Sequence, residues 1–511
     1  MTAVFFRANL FHAPGHSAGQ TTDIERIDDA MIAVEDGMIT AVMPPDDPAR
    51  RDIDKAAVTD LRGKGALLPG FVDLHIHAPQ FPQLGNALDV PLDVWLRTHT
   101  FPLESRYSDL EFADRVYRAL VHRLLANGTT TAVYFATIHQ LDDTKSILEL
   151  FHGPTAAFKD FGLQLAAAFF NKSLLKQNKT AIVLGATSGD TGSAAIDACK
   201  RFDSIKSFIL LPDGNMSEVQ RRQMTTVHSP NVFTLRVNGT FDDCQDIVKQ
   251  AFSERSFLKD DQFLLAVNSI NWVRIIGQIC YYFYASLKTN QLREPLNFSV
   301  PTGNFGNVFA YYSAYKMGMP LNKILVAVND NNILHRFFSD NDYSRSKVSE
   351  TLSPSMDISI ASNFERLLYD FYAERNSSIC DQFYRNFPKT PINLEKHMWE
   401  KSKDLFMSYS VDDISTVKAM KDTYASYNYL IDPHTAVAIE AVDQINEKLN
   451  GNTLILSTAH PAKFPEIIKD ADLELSEIPK TLLDVYNLKE RATHMPASKE
   501  LIFDFIIKNN L

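Results

Sequence analysis

AIVLGATSGDTGSAAIDACK, residues 181–200, passes from an unbroken apolar run through a glycine-rich turn into a small-residue stretch. A continuous apolar run bounded by turn residues is the pattern of a strand buried on both faces, and a helix directly after it is half of a βαβ unit. The plan returns in SFILLPDGNMSEVQRRQM (207–224) and in NFSVPTGNFGNVFAYYSAYKMG (297–318). Such alternation predicts an α/β fold of open, doubly wound sheets, with ligands gathered at the carboxyl ends of the strands. The segment around 376–425 is more polar and helical and reads as an insertion or an exposed cap.

Two of these turns carry the chemistry. TSGDTG (187–192) and PTGNFG (301–306) each lie between a buried strand and a helix. There they aim backbone N–H groups, and the positive end of the helix dipole, at an anion. Neither matches GxGxxG or GxxxxGK[ST], so the dinucleotide and P-loop readings are weak. Lys159, in ELFHGPTAAFKDFG (149–162), is by itself a surface lysine at a helix start. Beside two anion cradles it takes on another meaning. A lysine, one cradle for a cofactor phosphate and another for a substrate carboxylate together suit pyridoxal phosphate, with Lys159 as the covalent anchor.

The first 140 residues have a different texture. AMIAVEDGMITAVM (30–43) alternates apolar and polar residues about Asp36-Gly37, a hairpin signal, and predicts a small β unit. ALLPGFVDLHIH (66–77) reads as a buried parallel strand with polar residues at its end, residues 109–127 carry helical periodicity, and TTTAVYFATIH (129–139) reads as a second buried strand. Together they make one βαβ step of a barrel. His75 and His77, at i and i+2 on a strand, share a face and could hold one ion, or could be a structural hydrogen-bonding pair.

The bulk properties exclude several classes. At 511 residues the chain predicts two to four domains. The net charge of −11 leaves no excess of Lys and Arg to neutralise nucleic-acid phosphates or an acidic membrane. The four cysteines, Cys199, Cys244, Cys280 and Cys380, form no CxxC pair, which fits a reducing cytoplasm better than a disulfide framework or a thiolate zinc site. No apolar stretch reaches the length needed to cross a membrane.

Two resemblances sharpen these expectations. PGFVDLHIHAPQ (69–80), LDVWLRTHTFPLESRY (92–107) and NGTTTAVYFATIH (127–139) resemble guanine deaminase of the amidohydrolase superfamily. That implies His75 and His77 as zinc ligands, but the family's remaining ligands come from barrel strands that have no counterpart here, so metal-activated hydrolysis is not expected. From about residue 145 onward, ELFHGPTAAFKDFG, LGATSGDTGSAA, LLPDGNMSEVQRRQM, NSINWVRIIGQICYYF, VPTGNFGN, TLSPSMD and LSTAHPAKF, in that order, resemble threonine synthase of the longer bacterial and fungal type.

The second resemblance implies a fold-type II enzyme dependent on pyridoxal phosphate that converts O-phospho-L-homoserine and water to L-threonine and phosphate. Carried over by position, it makes Lys159 the cofactor anchor and proton carrier. Gly303, Asn304, Phe305 and Gly306 would cradle the cofactor phosphate, and Thr458 would bond the ring nitrogen. Ser188, Gly189, Asp190 and Thr191 would face the substrate carboxylate, and Asn268, Ser269, Asn271 and Arg274 the substrate phosphate. Asn307, counted with the cofactor-binding residues, stands where this family usually has aspartate, and asparagine can still cap the following helix. His152 and His460 are expected to be structural, and Trp272 to be core packing. The expected organisation is thus a guanine-deaminase-like fragment over 1–140 joined to a threonine-synthase-like body over 141–511. The alternatives are a zinc hydrolase of the N-terminal fragment or an inactive hybrid chain.

Overall fold

The computed structural model describes residues 4–12, 25–35, 38–54, 57–68, 71–76, 78–84, 86–87, 90–127, 129–134, 138–187, 189–213, 216–255, 257–259, 261–290, 294–373, 377–445, 448–475 and 478–510. By its internal contacts the chain divides into two compact units, Met1–Ala136 and Thr137–Leu511.

In the first unit, β1 (Val4–His12) pairs antiparallel with β2 (Glu25–Glu35) and parallel with β4 (Val58–Asp60) and β5 (Ala66–Leu67), while β2 continues into a hairpin with β3 (Met38–Met43). The period of two is visible in the packing. Ala30 and Ile32 of β2 are buried with Leu10 on one face, and Met31 and Ala33 with Met43 on the other. Then β6 (Phe71–Ile76) pairs in parallel with β7 (Thr129–Tyr134) across the helix Leu110–Ala126, which buries Phe112, Val116 and Leu120 at four-residue spacing. The apolar run 129–139 is not one strand. Its last residues form β8 (Ile138–Gln140), which belongs to the second unit and pairs antiparallel with β9 (Lys145–Glu149).

The second unit is built on two sheets whose other pairings are all parallel. One has the order β13-β10-β11-β12-β18, where β10 is Thr180–Ala186, β11 Ile205–Pro212, β12 Val232–Asn238, β13 Gln262–Leu265 and β18 Thr493–Pro496. The other has the order β16-β15-β14-β17-β9-β8, with β14 Leu296–Pro301, β15 Leu321–Val328, β16 Phe406–Ser410 and β17 Thr453–Ser457. The chain starts the second sheet at β8 and β9, leaves to build the first, and returns. β10 and β11 are largely apolar and β14 is buried at every residue, Asn297 and Ser299 included, because helices cover both faces.

The polar segment 376–425 is not an exposed cap. β16 lies on the edge of the six-stranded sheet, and Cys380, Ile392, Leu394, Leu405 and Phe406 are in the main core. The helix Asp413–Tyr427 buries Thr416, Ala419, Met420 and Thr423 while the rest of its surface faces outward. Amphipathic helices bury only a stripe, so their composition reads as polar even when they are integral to the fold.

Candidate active site

The site lies where the carboxyl ends of both sheets meet. β9 and β17 are paired in register up to Glu149 and Ser457, so the segments that follow them run on side by side. Leu150 N–H donates to the Ser457 carbonyl at 2.9 Å, Phe158 N–H to the Thr458 carbonyl at 2.8 Å and His460 N–H to the Ala156 carbonyl at 3.1 Å. This stitching sets Lys159, the first residue of the helix Lys159–Gln177, beside Thr458, although the two are far apart in sequence. The helix is pressed against Trp272–Asn290 at a glycine crossing. A methyl carbon on Gly277 would lie 3.0 Å from Gly162 Cα, and one on Gly162 would lie 3.0 Å from Arg274 Cα.

Lys159 is buried, at 9% exposure, and its Nζ reaches Asp190 Oδ2 at 3.4 Å and Ser355 Oγ at 3.5 Å. Burial pushes its ammonium below the ordinary lysine value. Asp190 opposes that shift, and Lys463 and Arg274 add to it. Asp190 opens the helix Asp190–Cys199 after the TSGDTG turn, and its other oxygen accepts from Lys463 Nζ at 2.7 Å and Gln220 Nε2 at 2.9 Å. Burial alone would raise the Asp190 carboxyl. The two lysines and the Gln220 bond overcome it and hold Asp190 well below the carboxylate range.

The PTGNFG turn joins β14 to the helix Gly306–Lys316. Phe305 takes the left-handed conformation (φ 64°), and its ring is clamped in an aromatic cluster with Phe338, Phe364 and Phe406. That packing offsets a backbone cost of about 1–2 kcal/mol for a non-glycine residue there, and it leaves only the main chain of Phe305 for an anion. Gly303 closes against a strap at 353–356: an added methyl carbon would meet the Ser355 carbonyl oxygen at 2.9 Å and Met356 Cα at 3.1 Å. Ser355 N–H donates to His434 Nε2 at 3.2 Å, and His434 Nδ1 pairs with the fully buried Asp432 at 2.8 Å. These bonds fix the tautomer, with the proton on Nδ1.

The expected phosphate residues come close to the same turn. Ser269 Oγ and Ser362 Oγ are 2.9 Å apart, Ser362 Oγ donates to Asn304 Oδ1 at 3.1 Å, and Asn363 Nδ2 bridges the Ser269 and Asn304 carbonyls at 3.0 and 3.1 Å. Asn271 caps the start of the next helix through a bond from Val273 N–H at 3.0 Å, and Asn268 carries the Asn271 turn on its carbonyl at 3.3 Å. Arg274 is buried. One of its nitrogens donates to the Val267 carbonyl at 2.7 Å and its Nε has no partner among the described residues, while burial lowers the guanidinium to about 10. A buried, half-satisfied guanidinium is a charge in want of an anion.

Several expectations are corrected. Asn307 does not cap its helix, because the cap position is Phe305; instead Asn307 Oδ1 accepts from Tyr281 Oη at 2.5 Å. Trp272 is 45% exposed rather than core, with the Arg366 guanidinium 5.4 Å from its ring. His152 bonds Glu149 at 2.6 Å and His460 accepts from Ala462 N–H at 3.1 Å, so each has a structural partner. Ser188 and His77 lie outside the described residues, and His75 is in β6. Among the described residues no group of three or more His, Cys, Asp or Glu could hold a metal ion. Sequence reasoning missed Ser355, Gln220, Asp432, His434 and Lys463. Ser355 and Lys463 stand inside the quoted motifs TLSPSMD and LSTAHPAKF, and a lysine among apolar residues in HPAKF was the available signal.

A desolvated lysine, a glycine that packs without room for a side chain and an unsatisfied buried guanidinium fit a phosphate-bearing aldehyde cofactor. The family described as "Pyridoxal-phosphate dependent enzyme" matches residues 147–459, and "Threonine synthase, C-terminal" matches 435–506. The threonine synthase of Pseudomonas aeruginosa is 43% identical over 362 residues, covering 71% of this chain and 77% of that protein. The threonine synthase of Saccharomyces cerevisiae is 41% identical over 379 residues, covering 68% and 74%. Of the solved structures, the crystal structure of PLP-bound threonine synthase from Brucella melitensis matches with a TM-score of 0.69 at 37% identity, over 73% of this chain and 80% of that one.

Proposed function

The chain belongs to the threonine synthase family of pyridoxal-phosphate-dependent enzymes, and on that premise we propose that Lys159 carries the cofactor in converting O-phospho-L-homoserine and water to L-threonine and phosphate. The observation that supports Lys159 is its burial at the junction of two strand-to-helix turns, where its amine meets only Asp190 and Ser355 at hydrogen-bonding distance among the described residues. Pyridoxal phosphate, when bound, supplies an electron sink that makes the Cα and Cβ protons of an amino-acid substrate acidic.

The chain's own residues do the rest. The main-chain N–H groups of Gly303, Asn304, Phe305 and Gly306 hold the cofactor phosphate at the start of a helix. Asn307 acts indirectly, by holding Tyr281 under that helix. The Thr458 hydroxyl serves the ring nitrogen, and Lys159 takes a proton from Cα and delivers or removes one at Cβ. The turn of Ser188, Gly189 and Thr191 receives the substrate carboxylate. Asp190 was grouped with that turn, but its carboxylate is taken up by Lys463, Gln220 and Lys159. Asn268, Ser269, Asn271 and Arg274 receive the phosphate that leaves, and the Arg274 Nε, without a partner among the described residues, supports that assignment. Reduction of the loaded protein with borohydride should fix the cofactor on Lys159, and Lys159→Ala should lose both that label and threonine formation. A labelled lysine elsewhere would sink the assignment.

We also propose that residues 1–140 are an amidohydrolase-like fragment that precedes, in the chain, a catalytic body over 141–511. The parallel β6–helix–β7 step and the His75 position on β6 favour that reading. It predicts no ammonia release from guanine, because two histidines do not complete a zinc site. Stoichiometric zinc lost on His75→Ala would favour a metal-binding fragment, and guanine turnover would overturn the inactive one. All four cysteines are unpaired, and no described helix is long and apolar enough to cross a membrane; both fit the cytoplasmic placement proposed here.

A further inference from the structure

Lys463 enters the reading above only as a partner of Asp190, yet it is the more deeply buried of the two lysines at the site, at 0% exposure against 9% for Lys159. Its Nζ is fixed by Asp190 Oδ1 at 2.7 Å and by the Thr155 carbonyl at 2.8 Å, and its own carbonyl accepts from Ser217 Oγ at 2.8 Å. Asp190 therefore has one oxygen saturated by Lys463 and Gln220, and offers Lys159 only the other, at the longer distance of 3.4 Å. Two lysines share one carboxylate, and the tight contact belongs to Lys463.

We propose that Lys463 is a positioning residue that takes up the charge of Asp190 and so leaves Lys159 as a neutral amine able to attack the cofactor aldehyde. The inference rests on the reading of Lys159 as the cofactor anchor. The charged groups around these side chains can be enumerated. Facing Lys159 are Asp190, Lys463 and Arg274. Among the described residues, the side chains that act most on Asp190 are the two lysines and Gln220. Lys463 also feels Asp160 and His460. Asp160 is already occupied, since it accepts from Thr155 N–H at 2.9 Å and Thr155 Oγ1 at 2.7 Å. With all three charged, Lys159 would be a buried cation beside two others, Lys463 and Arg274, with Asp190 as the carboxylate within its hydrogen-bonding reach. The proton most easily lost is that of Lys159, whose polar contacts are the longest. Burial acts in the same direction.

The step this prepares is balanced within the site. The lone pair of neutral Nζ forms the nitrogen–carbon bond, the aldehyde carbon–oxygen bond breaks, and the oxygen departs as water with the two amine protons. Only the unprotonated amine can begin it, so the fraction neutral sets the rate. A Lys463 with a purely structural role would lower stability on substitution and leave the pH dependence where it was.

The test is pyridoxal phosphate uptake by the full-length chain, followed by absorbance across pH, with borohydride reduction and peptide mass analysis to confirm the site. In Lys463→Met, Asp190 is left to hold Lys159 protonated. The pH midpoint of uptake should rise by about one unit or more, which is about tenfold slower uptake at neutral pH, with the alkaline plateau little changed. In the double variant Asp190→Asn/Lys463→Met, neither charge remains and burial alone acts, so the midpoint should return to the wild-type value or below. A folded Lys463→Met with an unshifted midpoint would overturn the proposal, as would a double variant that stays shifted. If Lys463→Met does not fold, the wild-type chain still decides: a midpoint at the ordinary lysine value of about 10.4 refutes a neutralised Lys159. Failure of the underlying reading looks different, because the wild-type chain would then take up cofactor without any label on Lys159.

Discussion

Gly303→Ala should weaken cofactor binding through a clash that can be sized from the structure. The new methyl carbon would sit 3.1 Å from Met356 Cα and 2.9 Å from the Ser355 carbonyl oxygen, both backbone atoms. Carbon pairs settle at about 3.5–4.0 Å, so one of the two chains must retreat by roughly half an ångström. The 353–356 strap is poorly placed to do so. Ser355 N–H is held by His434, His434 by Asp432, and Met356 N–H by the Ser353 carbonyl at 2.9 Å, with the Met356 side chain buried. The displacement therefore falls on the 302–306 turn, at an overpacking cost of about 1–3 kcal/mol. If that cost is borne in the bound state, the dissociation constant for pyridoxal phosphate rises about 5- to 150-fold. Fluorescence titration with the cofactor, alongside thermal melts in its absence and in excess, separates lost affinity from lost stability. Gly306→Ala is the matched control. Its nearest neighbour would be the Gln278 side chain at 3.4 Å, with no backbone in the way, so melting without cofactor should change by less than about 0.5 kcal/mol. A Gly303→Ala chain with wild-type affinity and wild-type melting would refute the argument that the strap is rigid.

Tyr281→Phe removes the donor to Asn307 Oδ1 at the start of the helix Gly306–Lys316, and should cost about 1–2 kcal/mol in a denaturant titration with the m-value unchanged. Phe364→Ala should cost about 3–5 kcal/mol, because its ring is fully buried against Phe305, Phe337 and Tyr343; a loss under 1 kcal/mol would mean that the cluster recloses. His460 supplies a pH effect. Burial and the neighbouring His152 lower its imidazole from the usual 6.5 to about 4. The unfolded chain then binds a proton that the folded chain refuses, so stability should fall as pH drops from about 6.5 to about 4, by up to about 3 kcal/mol. His460→Asn, which keeps an acceptor for Ala462 N–H, should flatten that slope; an unchanged slope assigns it to other groups.

The strand–turn–helix units were legible because their signals are local. An apolar run, a glycine-rich turn and a helical repeat lie within about 20 residues of each other, and burial on both sheet faces forces that pattern. The same logic placed the hairpin of β2 and β3 and the helix Leu110–Ala126. It failed at 129–139, where one apolar run supplies strands to two units, since composition carries no record of which neighbour a strand pairs with. It failed again over 376–425, because a one-sided helix hides its buried stripe in a polar average. Asn307 was misread for a related reason. Capping was expected because Asn307 stands where the family usually has aspartate, whereas the left-handed turn at Phe305 moves the cap back and turns Asn307 inward to Tyr281.

By itself, the sequence determined the α/β class, the two glycine-rich turns and the lysine ahead of them, because each is written in contiguous residues whose backbone needs are local. Tertiary structure alone decided what surrounds that lysine. The in-register pairing of β9 with β17 brings Thr458 to Lys159 and joins Thr155 to Lys463 across 308 residues of chain, and the 353–356 strap closes over Gly303. Such contacts follow from strand order and from the saturation of buried polar groups, both properties of the assembled sheets. They are also what sets the charge on Lys159, since one carboxylate held between two buried amines exists only once the sheets have met.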